Sequence, residues 1–310
     1  MSNVSKYFIN FKVHTQYSIC EGAIKIPDLA EYCKSNKVPA LGLSDSYNLC
    51  GALEFSQELS KIGTQPIIGS QINFKFANTI GKLPIFAKTE EGFKNLIKLS
   101  SKSYLDIRDE DEPHCNINDL FNNKKDILVL SGGIDSLISK LINKNSSKDI
   151  DKIIQELKRN FPDLFYFEIQ RHNDFGEKNL ENNFLNLSEK FKVPIIASRE
   201  IYYIDKDMHE AHDALICIGE KTYVDEKNRK KYSEEHYLKK SDEMKQIFKD
   251  LPQALENNYY FPQRFSYKLK KSNPVLPSIK TSNNFDESKE LLFQSEKGLK
   301  NRFEKFILKK

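Results

Sequence analysis

Seven apolar runs of strand length, at about residues 8–13, 39–44, 66–74, 83–87, 126–130, 164–170 and 194–198, constrain this chain more than any other feature. Each is bounded by turn-forming residues, as strands are. Between them lies helical periodicity. Leu180, Phe184, Leu187 and Phe191 fall at i, i+4, i+7 and i+11, a single stripe suited to packing on a sheet. Strand and helix in alternation predict parallel strands, and about seven such units close into a barrel. In barrels of this kind chemistry sits at the C-terminal ends of the strands. His14, Asp45, Gln71, Gly133 and the stretch Glu200 to Tyr202 all lie at or just past such ends.

The residues themselves carry a resemblance. Tyr7 to His14, then Ser18-Ile19-Cys20-Glu21-Gly22-Ala23, Ala40 to Leu49 and Pro66 to Gln71 follow one another in the order of a metal-dependent phosphoesterase site. The succession resembles the PHP (polymerase and histidinol phosphatase) domain that opens bacterial DNA polymerase III alpha subunits. It continues through Leu83 to Leu96, with Glu90-Glu91-Gly92-Phe93-Lys94-Asn95-Leu96 similar to the family's E-E-G-[FY]-x-N-L. Ile127 to Gly133, Phe165 to Gln170, Pro194 to Tyr203, Ala211 to Ile218 and Asp250 to Asn257 extend it over roughly residues 7 to 265. The resemblance implies an α/β fold, a distorted seven-stranded β/α (TIM-like) PHP barrel.

It also implies where metal ligands should stand. Metal-competent members read H-x-H in the first strand, D-H at the end of the second, and an acidic residue after G-x in the third. Here those positions hold Lys12 and His14, Asp45 and Ser46, and Gln71. Gly133 stands where such members have Cys, Glu200 takes an Asp position, and Tyr202 replaces a ligand His. An ammonium beside a dication is repulsive by several kcal/mol at short range, so Lys12 is incompatible with a working cluster. The eight positions therefore read as a vestigial metal site in which no metal is expected. His14 and Asp45 remain as a pair for one weak cation, short of the three protein ligands usual for catalytic zinc. Buried charges need partners, so Lys12 is expected to point into the old cavity toward Asp45 or Glu200.

Other candidates have plainer readings. His114, His172, His209 and His236 sit in polar stretches and read as surface residues. His212-Asp213 reads as a local cap or interhelix hydrogen bond, since adjacent helical residues point about 100° apart. Gly132-Gly133 reads as a tight strand-to-helix turn and Lys227 to Lys231 as a solvated basic face. Asp109-Glu110-Asp111 and Asp149-Ile150-Asp151 read as solvated charge. The five cysteines form no C-x-x-C pair and read as buried free thiols.

A net charge of +4 is too small an excess to indicate a nucleic-acid footprint, which needs clustered positive charge. No run reaches the ~18 apolar residues of a membrane span, and residues 1 to 6 lack an apolar signal core. The expected location is cytoplasmic, with no membrane partner.

Three segments are expected: a PHP domain over 1–267, a linker over 268–285, and the start of a polymerase module over 286–310. In the last, Leu292, Leu299, Phe303 and Phe306 share one helical face. The palm signature P-D-x-D-x-D, whose carboxylates would hold Mg²⁺ for nucleotidyl transfer, is nowhere in the 310 residues. No catalytic residue and no cofactor are thus expected in this portion, with Mg²⁺ serving the polymerase module of the full subunit. The resemblance implies a non-catalytic scaffold that stabilises the polymerase, docks the proofreading exonuclease and joins other polymerase III holoenzyme subunits, meeting DNA through the full subunit. The alternative is an active phosphoesterase or 3′ to 5′ exonuclease with a reduced site. A free-standing histidinol-phosphatase-like enzyme is disfavoured, since it needs the ligands lost here.

Overall fold

The structure, a computed structural model, describes residues 7–108, 112–275, 278, 281 and 286–307. Asp109-Glu110-Asp111 lies outside the described residues, as does part of the expected linker. Among the described residues there are seven strands: β1 (Ala40–Ser46), β2 (Gln65–Phe76), β3 (Thr79–Ala87), β4 (Cys115–Asn116), β5 (Ile127–Leu130), β6 (Phe165–Ile169) and β7 (Ile195–Ala197). They order β1-β2-β3-β5-β6-β7, with β4 paired to β2. Between and after them run α1 (Ile26–Ser35), α2 (Ala52–Lys61), α3 (Glu90–Leu105), α4 (Ile117–Asn122), α5 (Leu137–Asn143), α6 (Ser147–Asn160), α7 (Glu177–Phe191), α8 (His209–Glu220), α9 (Ser241–Ile247) and α10 (Pro252–Tyr260).

Not all of the strands are parallel. β3 runs antiparallel to both β2 and β5, while β1/β2, β5/β6 and β6/β7 are parallel. No helix separates β2 from β3; residues 77 and 78 turn the chain back as a hairpin with Ala77 at φ 49. A two-residue connection can only join antiparallel neighbours. The apolar runs located these strands without fixing their directions.

The first expected strand, 8–13, forms no ladder of its own. It closes the barrel through bridges from Val13 to Leu43 of β1 and to Ile201 after β7. Gly42 N–H donates to Asn10 O at 2.9 Å and Ser44 N–H to Val13 O at 2.9 Å; on the other side His14 N–H reaches Ile201 O at 2.9 Å. A Cβ on Gly42 would strike the Phe11 backbone, so this crossing needs glycine. Where no strand is adjacent, Asn258 of α10 replaces one. Its amide accepts from Ile9 N–H and donates to Ile9 O, both at 2.8 Å, and also reaches Ala197 O at 3.0 Å. Buried backbone groups must be paired, and one side chain does so for both edges.

The core has two layers. Ile9, Phe11, Ile67, Phe86, Leu128, Leu130, Ile196, Phe261 and Phe265 form one apolar cluster, with Phe11 stacked on Phe261 at 4.3 Å and edge-on to Phe86 at 6.0 Å. The helices pack around the sheet through the other cluster. On α6, Ile150, Ile153, Ile154 and Leu157 recur at the 3.6-residue period and are buried. On α7, Leu180 and Phe184 are buried while Leu187 and Phe191 are half-buried against the same core. Of the cysteines, Cys33, Cys115 and Cys217 are buried and all five are free, but Cys20 is half-buried and Cys50 exposed, because both lie in loops at the strand ends.

The chain divides into a unit ending at Lys270 and a second beginning at Lys271. The second contains α11 (Glu287–Arg302), capped by Asp286, whose carboxylate accepts from Lys289 N–H at 2.9 Å. Leu291, Leu292, Leu299, Phe303 and Phe306 are exposed there. Among the described residues no helix is long and apolar enough to cross a membrane.

Candidate functional site at the barrel mouth

Lys12 is held by its backbone between the two barrel edges, its carbonyl accepting from Ile201 N–H at 3.1 Å. Its side chain turns inward and is fully buried. The ammonium meets Glu168 of β6 at 2.9 Å (Oε1) and 3.1 Å (Oε2), and pairs with Glu200 just past β7. Of the two partners expected from sequence, Glu200 is reached and Asp45 is not; Glu168 takes the second place. Burial alone would lower the Lys12 pKa, but Glu168 and Glu200 outweigh it and hold the ammonium above its ordinary value. Glu200 shows the converse: burial disfavours its charge, and Lys12 with His14 holds the carboxyl well below the usual range.

Glu200 is the hub. Its second oxygen contacts His14 Nε2 at 2.6 Å and accepts from the Gln71 amide at 2.8 Å. Its own peptide is gripped from both sides: Glu200 N–H donates to His172 Nε2 at 3.0 Å, and the carbonyl meets His236 Nδ1 at 3.1 Å. Each ring is oriented in turn by a carboxylate, His172 Nδ1 by Glu177 at 2.7 Å and His236 Nε2 by Asp174 at 2.8 Å. His172 and His236 are therefore not surface residues. They are buried and stacked, with centroids 4.0 Å apart and planes 5° from parallel. Their polar sequence neighbours concealed this, because Glu200 and Asp174 come from distant segments and only Glu177, five residues past His172, is near. Burial, helped by the nearby His236 and Arg199, holds the His172 pKa well below its ordinary value.

Asp45 is turned the other way. It accepts from Thr15 N–H at 2.7 Å, Thr15 Oγ1 at 2.8 Å and Ser18 Oγ at 2.7 Å, and burial still pushes its pKa up against those bonds. His14 Nδ1 lies 3.2 Å from Ser18 Oγ, so His14 and Asp45 meet through a hydroxyl. Ser18, His14 and Glu200 imitate a nucleophile, base and orienter; the Ser18 proton, however, is given to Asp45 and the side chain is buried. Ser46 Oγ bonds Glu21, which pairs with Lys82 at 3.0 Å. Burial opposes the Glu21 charge, yet Lys82 and His14 take its carboxyl down to about 2.

Tyr202 is buried with its ring 4.6 Å from that of His14, and burial beside Tyr232 lifts its phenol well above the ordinary pKa. At Gly133 a Cβ would collide with the Gln170 amide, which donates to Glu168 at 2.5 Å. The eight predicted positions thus fall into three groups. Lys12, His14, Gln71, Glu200 and Tyr202 converge, Asp45 and Ser46 form an adjoining network, and Gly133 backs onto the Glu168 side. Sequence reasoning missed Glu168, Glu21 and Lys82 as members. Lys82, a charge opening an otherwise apolar strand run, was a readable signal.

A cavity of about 200 Å³ lined by Gln71, Gly133, Gln170, Glu200 and Tyr202 opens onto this cage, and one of about 470 Å³ lies beside Glu21, Ser46 and Lys82. The basic run is only partly solvated: Arg229 is locked onto Asp213 by two bonds of 2.6 Å, and Lys230 lies 4.9 Å over the Tyr232 ring. His212 makes neither the local cap nor the interhelix bond expected: its Nε2 lies 2.8 Å from Glu21 O, in the turn that precedes α1. Asp151 pairs with Lys190 at the surface.

Among the described residues, ligand atoms of His172, Asp174 and His236 lie within 4.8 Å of one another. Imidazole lone pairs lie in the ring plane, however, so two nearly parallel stacked rings do not aim theirs at one point. Both nitrogens of each ring are also already in hydrogen bonds.

Residues 10–172 match the PHP domain family. The chain is 33% identical over 310 residues to a DNA polymerase III subunit alpha from Caulobacter vibrioides, covering 97% of this chain and 27% of that protein. It is 32% identical over 319 residues to the DNA polymerase III subunit alpha of Borreliella burgdorferi, covering 97% and 28% respectively. The chain thus spans about a quarter of the length of these curated relatives. Among solved structures, a two-domain protein from Bacteroides vulgatus containing a predicted PHP-like metal-dependent phosphoesterase aligns with a TM-score of 0.42 at 12% identity. That alignment covers 82% of this chain and 63% of that one.

Proposed function

The chain belongs to the PHP domain family, and from that premise we propose that it is the PHP portion of a replicative DNA polymerase III alpha subunit, serving as a scaffold rather than a hydrolase. The likeness to subunits of that name along 97% of the chain supports the first part. One observation carries the second: an ammonium occupies the place where a metal-dependent relative would need a cation. A divalent ion does not fit this arrangement. The carboxylates that face inward are saturated by Lys12, the imidazole of His14 is directed at Glu200, and Asp45 is filled by Thr15 and Ser18. A cluster of divalents needs unprotonated donors converging on open positions, and those positions are taken. The eight positions from Lys12 to Tyr202 are on this reading a vestigial metal site.

By family analogy, the whole subunit carries out DNA-directed DNA synthesis with Mg²⁺ in its polymerase module, in the cytoplasm, and the barrel docks the proofreading exonuclease and supports the holoenzyme. Residues 1–267 form the PHP domain, 268–285 the linker, and α11 begins the polymerase module. The rival, a reduced-site phosphoesterase or 3′ to 5′ exonuclease, has the His172, Asp174 and His236 cluster in its favour; the ring stacking counts against it. Elemental analysis of the purified chain together with a phosphodiester hydrolysis assay separates the two. The scaffold reading expects substoichiometric metal and no turnover, and chelator-sensitive turnover with bound divalents would overturn it.

A further inference from the structure

We infer that the cleft between α1 and the start of α9 is a docking site for a short acidic segment of a partner protein, one that carries an apolar side chain between its carboxylates. The cleft lies beside the strand starts and uses no residue of the barrel mouth, so it stands whichever way the scaffold reading falls. Its volume is about 360 Å³, within the range of small binding pockets. Tyr7, Tyr32, Val38 and Pro39 give it an aromatic and aliphatic lining; Lys239, Lys240 and Lys245 line it with positive charge against the single carboxylate of Asp242. The segments around it are fixed to one another. Ser241 Oγ accepts from Phe8 N–H at 3.1 Å, and the buried Phe8 ring stacks on Phe248 with centroids 6.3 Å apart.

The three cations are not equally available. Lys239 is buried, with its ammonium 2.6 Å from Glu235 and 3.6 Å from the centroid of the Tyr237 ring, so its charge is already matched. Lys240 is exposed, and among the described residues its ammonium has no carboxylate partner. Lys245 pairs with Asp242 at 2.9 Å, but that carboxylate is 94% exposed. Exposed pairs are weak, so an incoming carboxylate can take the place of Asp242 at little cost. The Tyr32 hydroxyl also has no hydrogen-bond partner among the described residues, and burial lifts its pKa to about 12, which keeps it a donor at neutral pH. Two ammoniums and a phenol beside an aliphatic surface fit carboxylates that flank an apolar side chain. Nucleic acid fits less well, because phosphate binding draws on an extended basic stripe and these cations border one small pocket.

The test is fluorescence anisotropy with the 310-residue chain and a fluorescein-labelled peptide of sequence EELFEE, run beside KKLFKK, EESSEE and a labelled oligothymidylate. EELFEE is expected to bind saturably with a Kd on the order of 100 μM, at least about 10-fold more tightly than the other two peptides. Lys240→Glu combined with Lys245→Glu is expected to weaken that binding by about 10-fold or more, and Tyr32→Phe, which removes only the hydroxyl, by about 3-fold. Lys240 is exposed, so Lys240→Glu alone is expected to keep the wild-type circular dichroism spectrum and still weaken binding by about 3-fold. The proposal is overturned if EELFEE does not bind, if KKLFKK or EESSEE binds equally well, or if the charge reversals leave binding unchanged. Oligothymidylate that binds while EELFEE does not would assign the cleft to nucleic acid and overturn it as well. Phosphodiester hydrolysis by the wild-type chain would instead defeat the scaffold reading without touching peptide binding, so the two failures are distinct.

Discussion

Phe11 and Lys12 are adjacent in sequence and both fully buried, yet they belong to opposite kinds of interior. Phe11 joins an apolar cluster with Phe86, Phe261 and Phe265, where any well-shaped hydrocarbon would serve. Lys12 enters a cage where charge must balance charge: one ammonium, two carboxylates, an imidazole and an amide. The apolar cluster is stabilised by area removed from water, which is non-directional. The cage is stabilised by particular pairs, and losing one member leaves the others uncompensated. The same depth of burial thus tolerates exchange for a hydrocarbon of like shape in one region and tolerates no such exchange in the other.

The sharpest way to break this comparison is to truncate both residues. Phe11→Ala is expected to cost about 3–5 kcal/mol by cavity creation, and Lys12→Ala in metal-free buffer about 3–5 kcal/mol through unpaired carboxylates. The two losses differ in repair. Adding Glu168→Gln should recover part of the Lys12→Ala loss in urea denaturation, because a buried charge is removed, whereas Glu168→Gln should not help Phe11→Ala. Equal effects in the two backgrounds would erase the distinction.

Acid sharpens it next. Burial takes the His212 pKa down to about 4 from 6.5. A histidine depressed in the folded state contributes fully above its unfolded value, and that contribution is lost as pH falls from about 6.5 to about 4. The loss is roughly 3 kcal/mol, and His212→Gln should flatten that part of a stability-versus-pH curve. A smaller effect is expected at Glu21, whose carboxyl falls from 4.5 to about 2 beside Lys82. Glu21→Gln should cost about 1–3 kcal/mol near neutral pH, with the difference from wild type fading as pH drops from about 4.5 to 2. At the other extreme, Asp151→Ala, which breaks an exposed pair with Lys190, should change stability by no more than about 0.5 kcal/mol. A large effect there would mean that burial does not divide the two classes of charge.

Much of this was legible in sequence, for identifiable reasons. The apolar runs found six of the regular strands because their inward residues are buried throughout, as in β1 and β5. They missed the reversal of β3, since alternation carries no direction, and they over-read residues 8–13, whose backbone is completed by Asn258 rather than by a ladder. The inward turn of Lys12 toward Glu200 was legible because the resemblance placed an ammonium at a strand end where a buried charge needs a partner. Glu168 stayed hidden as a member of a strand pattern, and His172 and His236 as polar surface.

What the amino-acid order determined alone was the rhythm of strands and helices, and which side chains stand at the strand ends. Both are local properties, set by periodicities of two and 3.6 residues. Only the closed barrel decided which of those side chains meet. Lys12 finds Glu168 and Glu200 across 156 and 188 residues of chain, and a buried charge takes the partner that strand order delivers, whatever its distance in sequence.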